Sequence, residues 1–286
     1  MKLKLPIIVI MNLVVISGMF SQSLPAYQLF TGKGKKLKYA QLLKRTAGKD
    51  LVLFGEEHNN PIAHWLQLRL TRDCSKQQPL VLGAEMIERD NQDELEAYLQ
   101  GTITAKQLDS TARLWSNYKT DYAPLVNFAK QNKIPFIGTN IPRRFASLVA
   151  KNGFEALDTL SDLEKSWIAP LPVKYDAELP GYKNMLTIMA GHGGPNLPKA
   201  QAIKDATMAH FILQNLNPET LFIHYHGSYH SENYEGILWY LLQEKPQLKY
   251  LTIATVSQTS LQRLDPGNLG KADVILAVDA DMTKTY

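Results

Sequence analysis

Cysteine is almost missing from this chain of 286 residues; Cys74 is the only one. That excludes a disulfide scaffold, and no cysteine follows the apolar N-terminal stretch to carry a lipid. Charge of one sign is also lacking: 31 basic side chains face 27 acidic ones, a net charge of +4. The basic residues cluster only briefly, at Lys33, Lys35, Lys36 and Lys38, so no nucleic-acid footprint is present. There is no low-complexity tract and no repeat of solenoid or propeller period. Past the N-terminus, no apolar run approaches the roughly 20 residues a membrane-spanning helix requires. Neither a Gly-x-Ser-x-Gly elbow nor a His-Glu-x-x-His helix occurs, which removes the commoner hydrolase routes. What remains is an ordinary globular composition, 45% hydrophobic and 20% charged, long enough for one or two domains.

The first residues read as a targeting segment. Lys2 and Lys4 precede an apolar run over 5–20, broken by Pro6 and Asn12, and the small residues Ser21 and Ser23 follow it. This is the order of a secretory signal peptide, assigned to 1–23, with 24–286 as the mature body. The expected location is therefore the periplasm or cell envelope, without lipid attachment. In such an oxidising compartment Cys74 has no intramolecular partner and no neighbouring base, so it reads as a semi-buried structural thiol.

Six short apolar runs read as buried strands: 51–54, 80–84, 135–138, 221–225, 250–256 and 274–278. Most are continuous rather than alternating, as expected where helices cover both sheet faces. Between them lie helical spacings, such as Ile62, Trp65 and Leu66, or Ala202, Ala206, Ala209 and Leu213. The expectation is an α/β fold with a mostly parallel central sheet and helices on both faces, in a single domain. The region 151–198, with five prolines and a glycine-rich end, reads as a short helical piece at 155–167 and then an irregular insertion.

In open α/β sheets, ligands bind beyond the carboxyl ends of the strands. The residues that follow the apolar runs are Gly55-Glu56-Glu57-His58, Glu85-Met86, Thr139-Asn140-Ile141-Pro142-Arg143-Arg144 and His226-Gly227-Ser228-Tyr229-His230. The first and last share a Gly-x-x-His step. Asn60 with Pro61, and Ser231 with Glu232, then read as helix starts, which would set His58 and His230 beside helix N-termini with lowered pKa values. His224, His226 and His230 have a spacing compatible with metal binding, although imidazoles inside an apolar run are commonly structural. His64 and His210 read as structural helix residues. His192 sits in a flexible loop, Gly191-His192-Gly193-Gly194, able to close over a ligand. The tyrosines near the rim include Tyr118, Tyr122, Tyr182, Tyr225 and Tyr229, and a tyrosine is a known axial ligand of haem iron.

Gly55-Glu56-Glu57-His58, Gly83-Ala84-Glu85-Met86, Asn140-Ile141-Pro142-Arg143-Arg144, the helix Ala200-Gln201-x-x-x-Asp205-x-x-Met208-Ala209 and Gly227-Ser228-Tyr229-His230 together resemble the ChaN-like haem-binding uptake family. That family belongs to a wider group with Tiki metalloproteases, TraB proteins and erythromycin-esterase-like hydrolases. The resemblance runs from about Tyr39 to the end of the chain. It implies an exported protein of haem or iron uptake that binds haem, with an outer-membrane haem receptor as a partner and a homodimer holding haem pairs cofacially. Carried over by motif, the site residues are Glu56, His58, Glu85, Arg143 and His230, with Glu57 at a variable position. Tyr118 and Tyr122 are the candidate haem ligands, His192 a second ligand or lid contact, and Arg143 or Arg144 the partners of the propionates. The competing expectation is a hydrolase in which His58, Glu85 and His230 activate water, as general bases or by holding a divalent metal, with Arg143 stabilising negative charge. The leader makes its own prediction. The chain recovered from the periplasm of a producing cell begins at Leu24, and N-terminal mass mapping that finds Met1 there overturns cleavage.

Overall fold

The computed structural model describes residues 24–188 and 194–286. The expected leader, 1–23, and His192 lie outside them. Eight strands form one sheet: β1 (Tyr27–Thr31), β2 (Lys36–Leu37), β3 (Leu51–Glu56), β4 (Leu80–Glu88), β5 (Phe136–Asn140), β6 (Leu221–Gly227), β7 (Tyr250–Gln258) and β8 (Val274–Asp279). Their order is β2-β1-β8-β7-β3-β6-β4-β5. The six strands from β8 to β5 run parallel. Only β1 runs against its neighbours, antiparallel to β8 on one side and to the edge strand β2 on the other. Ten helices accompany the sheet among the described residues: α1 (Tyr39–Thr46), α2 (Pro61–Cys74), α3 (Gln92–Gln100), α4 (Ala105–Thr111), α5 (Ala123–Asn132), α6 (Arg143–Asn152), α7 (Asp162–Lys165), α8 (Pro180–Ile188), α9 (Leu197–Asn215) and α10 (Ile237–Glu244). None is long and apolar enough to cross a membrane.

Alternation along each strand sends successive side chains to opposite faces. Val52 and Phe54 on β3, Leu82 on β4 and Tyr225 on β6 pack with Leu66 and Leu70 of α2, Leu95 of α3 and Leu125 of α5. Leu51 and Leu53 on β3, and Phe222 on β6, pack with Val149 of α6, Ile203 and Ile212 of α9 and Leu238 of α10. Both faces are therefore apolar, which is why β3 reads as one unbroken hydrophobic run. A third cluster, around Phe30, Ala254 and Ile275, is covered by Leu261 and Leu264 from the irregular β7–β8 connection rather than by a helix.

The chain's path explains where the site lies. From β3 it moves outward to β4 and β5 with its helices on one face, then returns to β6 by α6 and α9 on the other. From β6 it passes β3 to reach β7 and β8. Reversing direction and face together preserves the single hand of parallel crossovers. Strands β3 and β6 are neighbours whose onward connections diverge, so a crevice opens at their carboxyl ends.

The expected strands and helices are present, with three differences. The hairpin β1–β2 at the edge is short and half-buried, so no continuous apolar run announces it. Strand β4 extends through Glu88, past a register shift between Ala84 and Glu88. The piece expected as helical at 155–167 divides into a 3-10 segment, Phe154–Thr159, and α7, because Ser161 caps a new start by accepting the Glu164 N–H. Cys74 closes α2, buried with Thr46 3.5 Å away, and burial pushes its thiol pKa up. Leu53, fully buried at the centre of β3, gives a test of the core. Leu53→Ala is expected to cost about 2–5 kcal/mol, read as a lower midpoint of denaturant unfolding at unchanged slope; a loss under about 0.5 kcal/mol contradicts this packing.

Candidate functional site

The carboxyl ends of β3, β4 and β6 carry a buried row of acids and histidines. Glu56 ends β3 and is fully enclosed. Its Oε1 accepts from Nδ1 of His58 at 3.0 Å and from the Tyr122 hydroxyl at 2.7 Å, and its Oε2 accepts from the Gln67 amide of α2 at 2.6 Å. Glu85, on β4, accepts from the Gly227 N–H at 2.8 Å through Oε2 and from His230 Nε2 at 3.1 Å through Oε1. His58 Nε2 stands 4.0 Å from the same Oε2. The other nitrogen of His230 donates to Asp205 of α9 at 2.5 Å, and the Gln201 amide, one turn earlier on α9, lies 2.9 Å from that nitrogen. Tyr182 of α8 donates to the second oxygen of Asp205 at 2.9 Å. The result is an alternating row: Glu56, His58, Glu85, His230, Asp205.

The electrostatics follow from that alternation. Burial pushes Glu56 up, but the hydrogen bonds and charges of His58 and His64 outweigh it and hold the carboxyl at about 2. Burial likewise opposes ionisation of Glu85, and the His230 charge reverses this, leaving it well below the usual carboxylate range. Burial lowers His230, yet Glu85 and Asp205 on either side raise it to about 9. Burial also lowers His58, and Glu56 and Glu85 turn the net shift upward. The expectation that helix N-termini would lower both histidines is thus corrected. Flanking carboxylates lie closer than any helix end, and α10 begins only at Ile237, so the helix start expected at Ser231 is a pair of 3-10 turns.

Ser231 has another task. Thr139 donates to the Ala84 carbonyl at 3.0 Å, so His224 Nε2 must donate to Thr139 at 2.7 Å. His224 Nδ1 then accepts from His226 Nδ1 at 3.0 Å, and His226 Nε2 accepts from Ser231 at 2.7 Å. This order requires His224 to be neutral. Burial, together with the neighbouring imidazoles, lowers the pKa values of both, His226 to about 3. These histidines bind the β4, β5 and β6 ends to the turn that carries His230.

Among the described residues no group of three or more His, Cys, Asp or Glu side chains is arranged to hold a metal ion. His58, Glu85 and His230, expected as a metal set, do come together. In this arrangement both His230 nitrogens face carboxylates, Asp205 at 2.5 Å and Glu85 at 3.1 Å.

Above the row opens a cleft of about 520 Å³, lined also by Trp115, Asn140, Ile141, Arg143, Lys204 and Tyr229. His58 faces it with its side chain 32% exposed, edge-on to Trp115 at 4.8 Å between ring centres. Gly227 forms part of the floor. A Cβ there would lie 2.7 Å from His58 Nε2, so any side chain at 227 would push the imidazole from its place. A second lobe of about 880 Å³ adjoins the first and shares Glu88, Trp115 and Arg143 with it.

The remaining expected residues divide. Arg143 opens α6 at the junction of the two lobes. Arg144 lines only the second lobe, paired with Asp90 at 2.5 Å. Tyr122 is buried beneath the cleft, its hydroxyl donated to Glu56. Tyr118 lines a small separate pocket with Tyr98 and Asp109. Glu57 accepts from Asn60, Ser257 and Lys284, which ties the 57–60 turn to the C-terminal segment. Gln67, Asp205 and Gln201 were not singled out from the sequence as site residues. For the last two a signal existed, since the spacing of four in Gln201-x-x-x-Asp205 puts both on one helix face. Gln67 carried none, because only folding brings mid-helix α2 under Glu56.

The fold and this row define a mostly parallel α/β protein with a polar site at the strand ends. Residues 42–241 match the family described as haem-binding uptake, Tiki superfamily, ChaN, and the chain belongs to that family. No curated protein sequence matches it. Among solved structures, ChaN of Campylobacter jejuni, which binds haem cofacially, superposes with a TM-score of 0.65 at 19% identity, covering 88% of this chain and 97% of that one. A Bacillus cereus protein superposes with a TM-score of 0.51 at 13% identity, covering 83% and 90%. At these identities the likeness is one of fold.

The charged row predicts a two-sided stability profile. Glu56 moves from its ordinary 4.5 to about 2, so its contribution is complete above pH 4.5 and fades as pH falls toward 2. His230 moves from 6.5 to about 9, so its contribution is complete below pH 6.5 and is lost as pH rises through 9. Urea midpoints measured across pH should form a plateau between these limits. Glu56→Gln should flatten the acid limb and His230→Gln the alkaline one; an unchanged alkaline limb in His230→Gln rules out a protonated His230.

Proposed function

We propose that this protein binds haem in the cleft at the ends of β3, β4 and β6, as an exported component of haem or iron uptake. The observation that carries the reading is the cleft's composition: apolar surface from Trp115, Ile141 and Tyr229 beside the cationic Arg143 and Lys204, in a chain of a haem-binding family. A porphyrin needs both, flat apolar contact for its ring and cations for its propionates. The volume of about 520 Å³, with a second lobe adjoining, falls in the range of small-molecule sites. Two side chains facing the cleft have haem-ligating chemistry, the His58 imidazole and the Tyr229 phenol. Bound haem supplies an iron centre to be carried; the chain's residues orient and enclose it. Export behind the 1–23 leader, receipt of haem from an outer-membrane receptor and pairing of two copies around cofacial haems extend the same reading.

A second reading, hydrolysis, is favoured by one observation. His58 is oriented through Nδ1 by Glu56, itself fixed by Gln67 and Tyr122, while its Nε2 faces the cleft. This is the arrangement of a positioned general base. Haemin titration of the purified chain decides the first reading. A saturable Soret band is expected, displaced in His58→Ala or Tyr229→Phe, and absence of any saturable change overturns it. Turnover of an ester or peptide panel that disappears in His58→Ala would establish the second.

A further inference from the structure

The positive charge of this chain is unevenly placed. Between Leu24 and Lys49 stand seven basic residues and no acidic one, whereas from Asp50 onward 27 acids outnumber 22 bases. Lys33, Lys35, Lys36, Lys38, Lys44 and Arg45 are exposed, and none of them pairs with an acid among the described residues. In the sequence the lysines form only a brief run. The fold gathers them at one corner of the sheet, with an apolar side chain among them.

Residues 31–35 turn tightly between β1 and β2. The Gly34 N–H donates to the Thr31 carbonyl at 2.8 Å and the Thr31 N–H to the Lys35 carbonyl at 2.8 Å, with Gly34 at a φ of 78°. Lys33 and Lys35 therefore flank the tip of a hairpin. On β2, Leu37 is buried with Leu29 and Leu42, so alternation turns Lys36 to the opposite face. That face is covered by the irregular β7–β8 connection. The connection is fastened to the tip, because the Gly270 N–H donates to the Gly32 carbonyl at 2.9 Å. A Cβ on Gly34 would meet the Leu269 side chain at 3.0 Å, and Leu269 is itself 48% exposed. Of the connection's two acids, Asp273 is tied to Thr252 and Tyr234, and Asp265 faces Arg263 and Lys271 in the same segment as the one exposed carboxylate.

Unpaired cations around an exposed leucine suit a bilayer interface. Cations meet the headgroup phosphates there, and an apolar side chain enters the acyl boundary. Leu269 favours a bilayer over an acidic polypeptide, since a polypeptide that matches the lysines is itself polar. We infer that the β1–β2 tip, together with Leu269, docks this protein on an anionic phospholipid surface. Docking there leaves the cleft open. The tip adjoins the amino end of β8, where Thr31 pairs with Val274, while the cleft lies beyond the carboxyl ends of strands that run parallel to β8. The six residues of β8 alone set the two about 20 Å apart.

The test is vesicle co-sedimentation of the chain beginning at Leu24, which carries every described strand and helix. Vesicles of equal parts phosphatidylcholine and phosphatidylglycerol are compared with vesicles of phosphatidylcholine alone. The wild type should partition about tenfold or more in favour of the anionic vesicles, and raised salt should shrink the difference. Lys33→Gln/Lys35→Gln should weaken anionic binding about tenfold or more, each cation near the surface being worth about fivefold. Leu269→Gln should weaken it about threefold or more and keep the salt dependence. Lys106→Gln, on α4 toward the other edge of the sheet, should change nothing. All four side chains are exposed, and urea midpoints equal to that of the wild type show that the variants fold. Equal partition of the wild type to both vesicles overturns the docking surface, as does unchanged binding in the double lysine variant or in Leu269→Gln. Retention on immobilised polyglutamate without binding to either vesicle also overturns it and assigns the lysines to an acidic protein.

Discussion

Glu85 holds the site together. Its carboxylate is enclosed between β4 and β6, accepts the Gly227 N–H and His230, and faces His58. An ionised carboxylate so deeply buried is tolerable only with charge and hydrogen bonds around it. That requirement propagates. His230 must carry a proton, which Asp205 on α9 then balances; His58 must approach from the other side, which Glu56 orients. A row of alternating charge thus joins strands β3, β4 and β6 to helix α9, and removing any one member leaves its neighbours buried without compensation.

Around this row the fold supplies two kinds of support. Steric constraint comes from Gly227, where a side chain would displace the His58 imidazole. Polar constraint comes from the chain Thr139–His224–His226–Ser231, whose order as far as the His226 Nδ1–H is set once Thr139 donates to Ala84. Five histidines near the sheet ends therefore serve different ends. His58 and His230 answer to carboxylates, His64 supports Glu56, and His224 and His226 fix the turn. One residue type takes both charge states within a few ångströms because its pKa follows its nearest partner rather than its place in a motif.

The cleft combines buried ion pairs at its floor with aromatic and aliphatic residues and the cations Arg143 and Lys204 in its lining. Membership of the haem-binding ChaN family and this division of chemistry are consistent with each other. A rigid floor costs little reorganisation when a flat ligand enters.

Much of this protein was determined by local sequence. Continuous apolar runs fixed β3, β6, β7 and β8, because a strand covered on both faces has no polar side to show. Asn60 with Pro61 fixed the start of α2, whose amide oxygen accepts from Ile62 and Ala63. The Gly-x-x-His steps and Glu85 marked the strand ends as a site. Only the tertiary structure decided the rest. It placed β3 beside β6, set Asp205 and Gln67 against His230 and Glu56, gave Tyr122 to Glu56 while turning Tyr118 away, and put two carboxylates beside His230 that raise its pKa. The physical reason is distance: a pKa or a hydrogen bond depends on which groups lie within about 3–4 Å, and residues 145 positions apart, such as Glu85 and His230, acquire that proximity only when the sheet assembles.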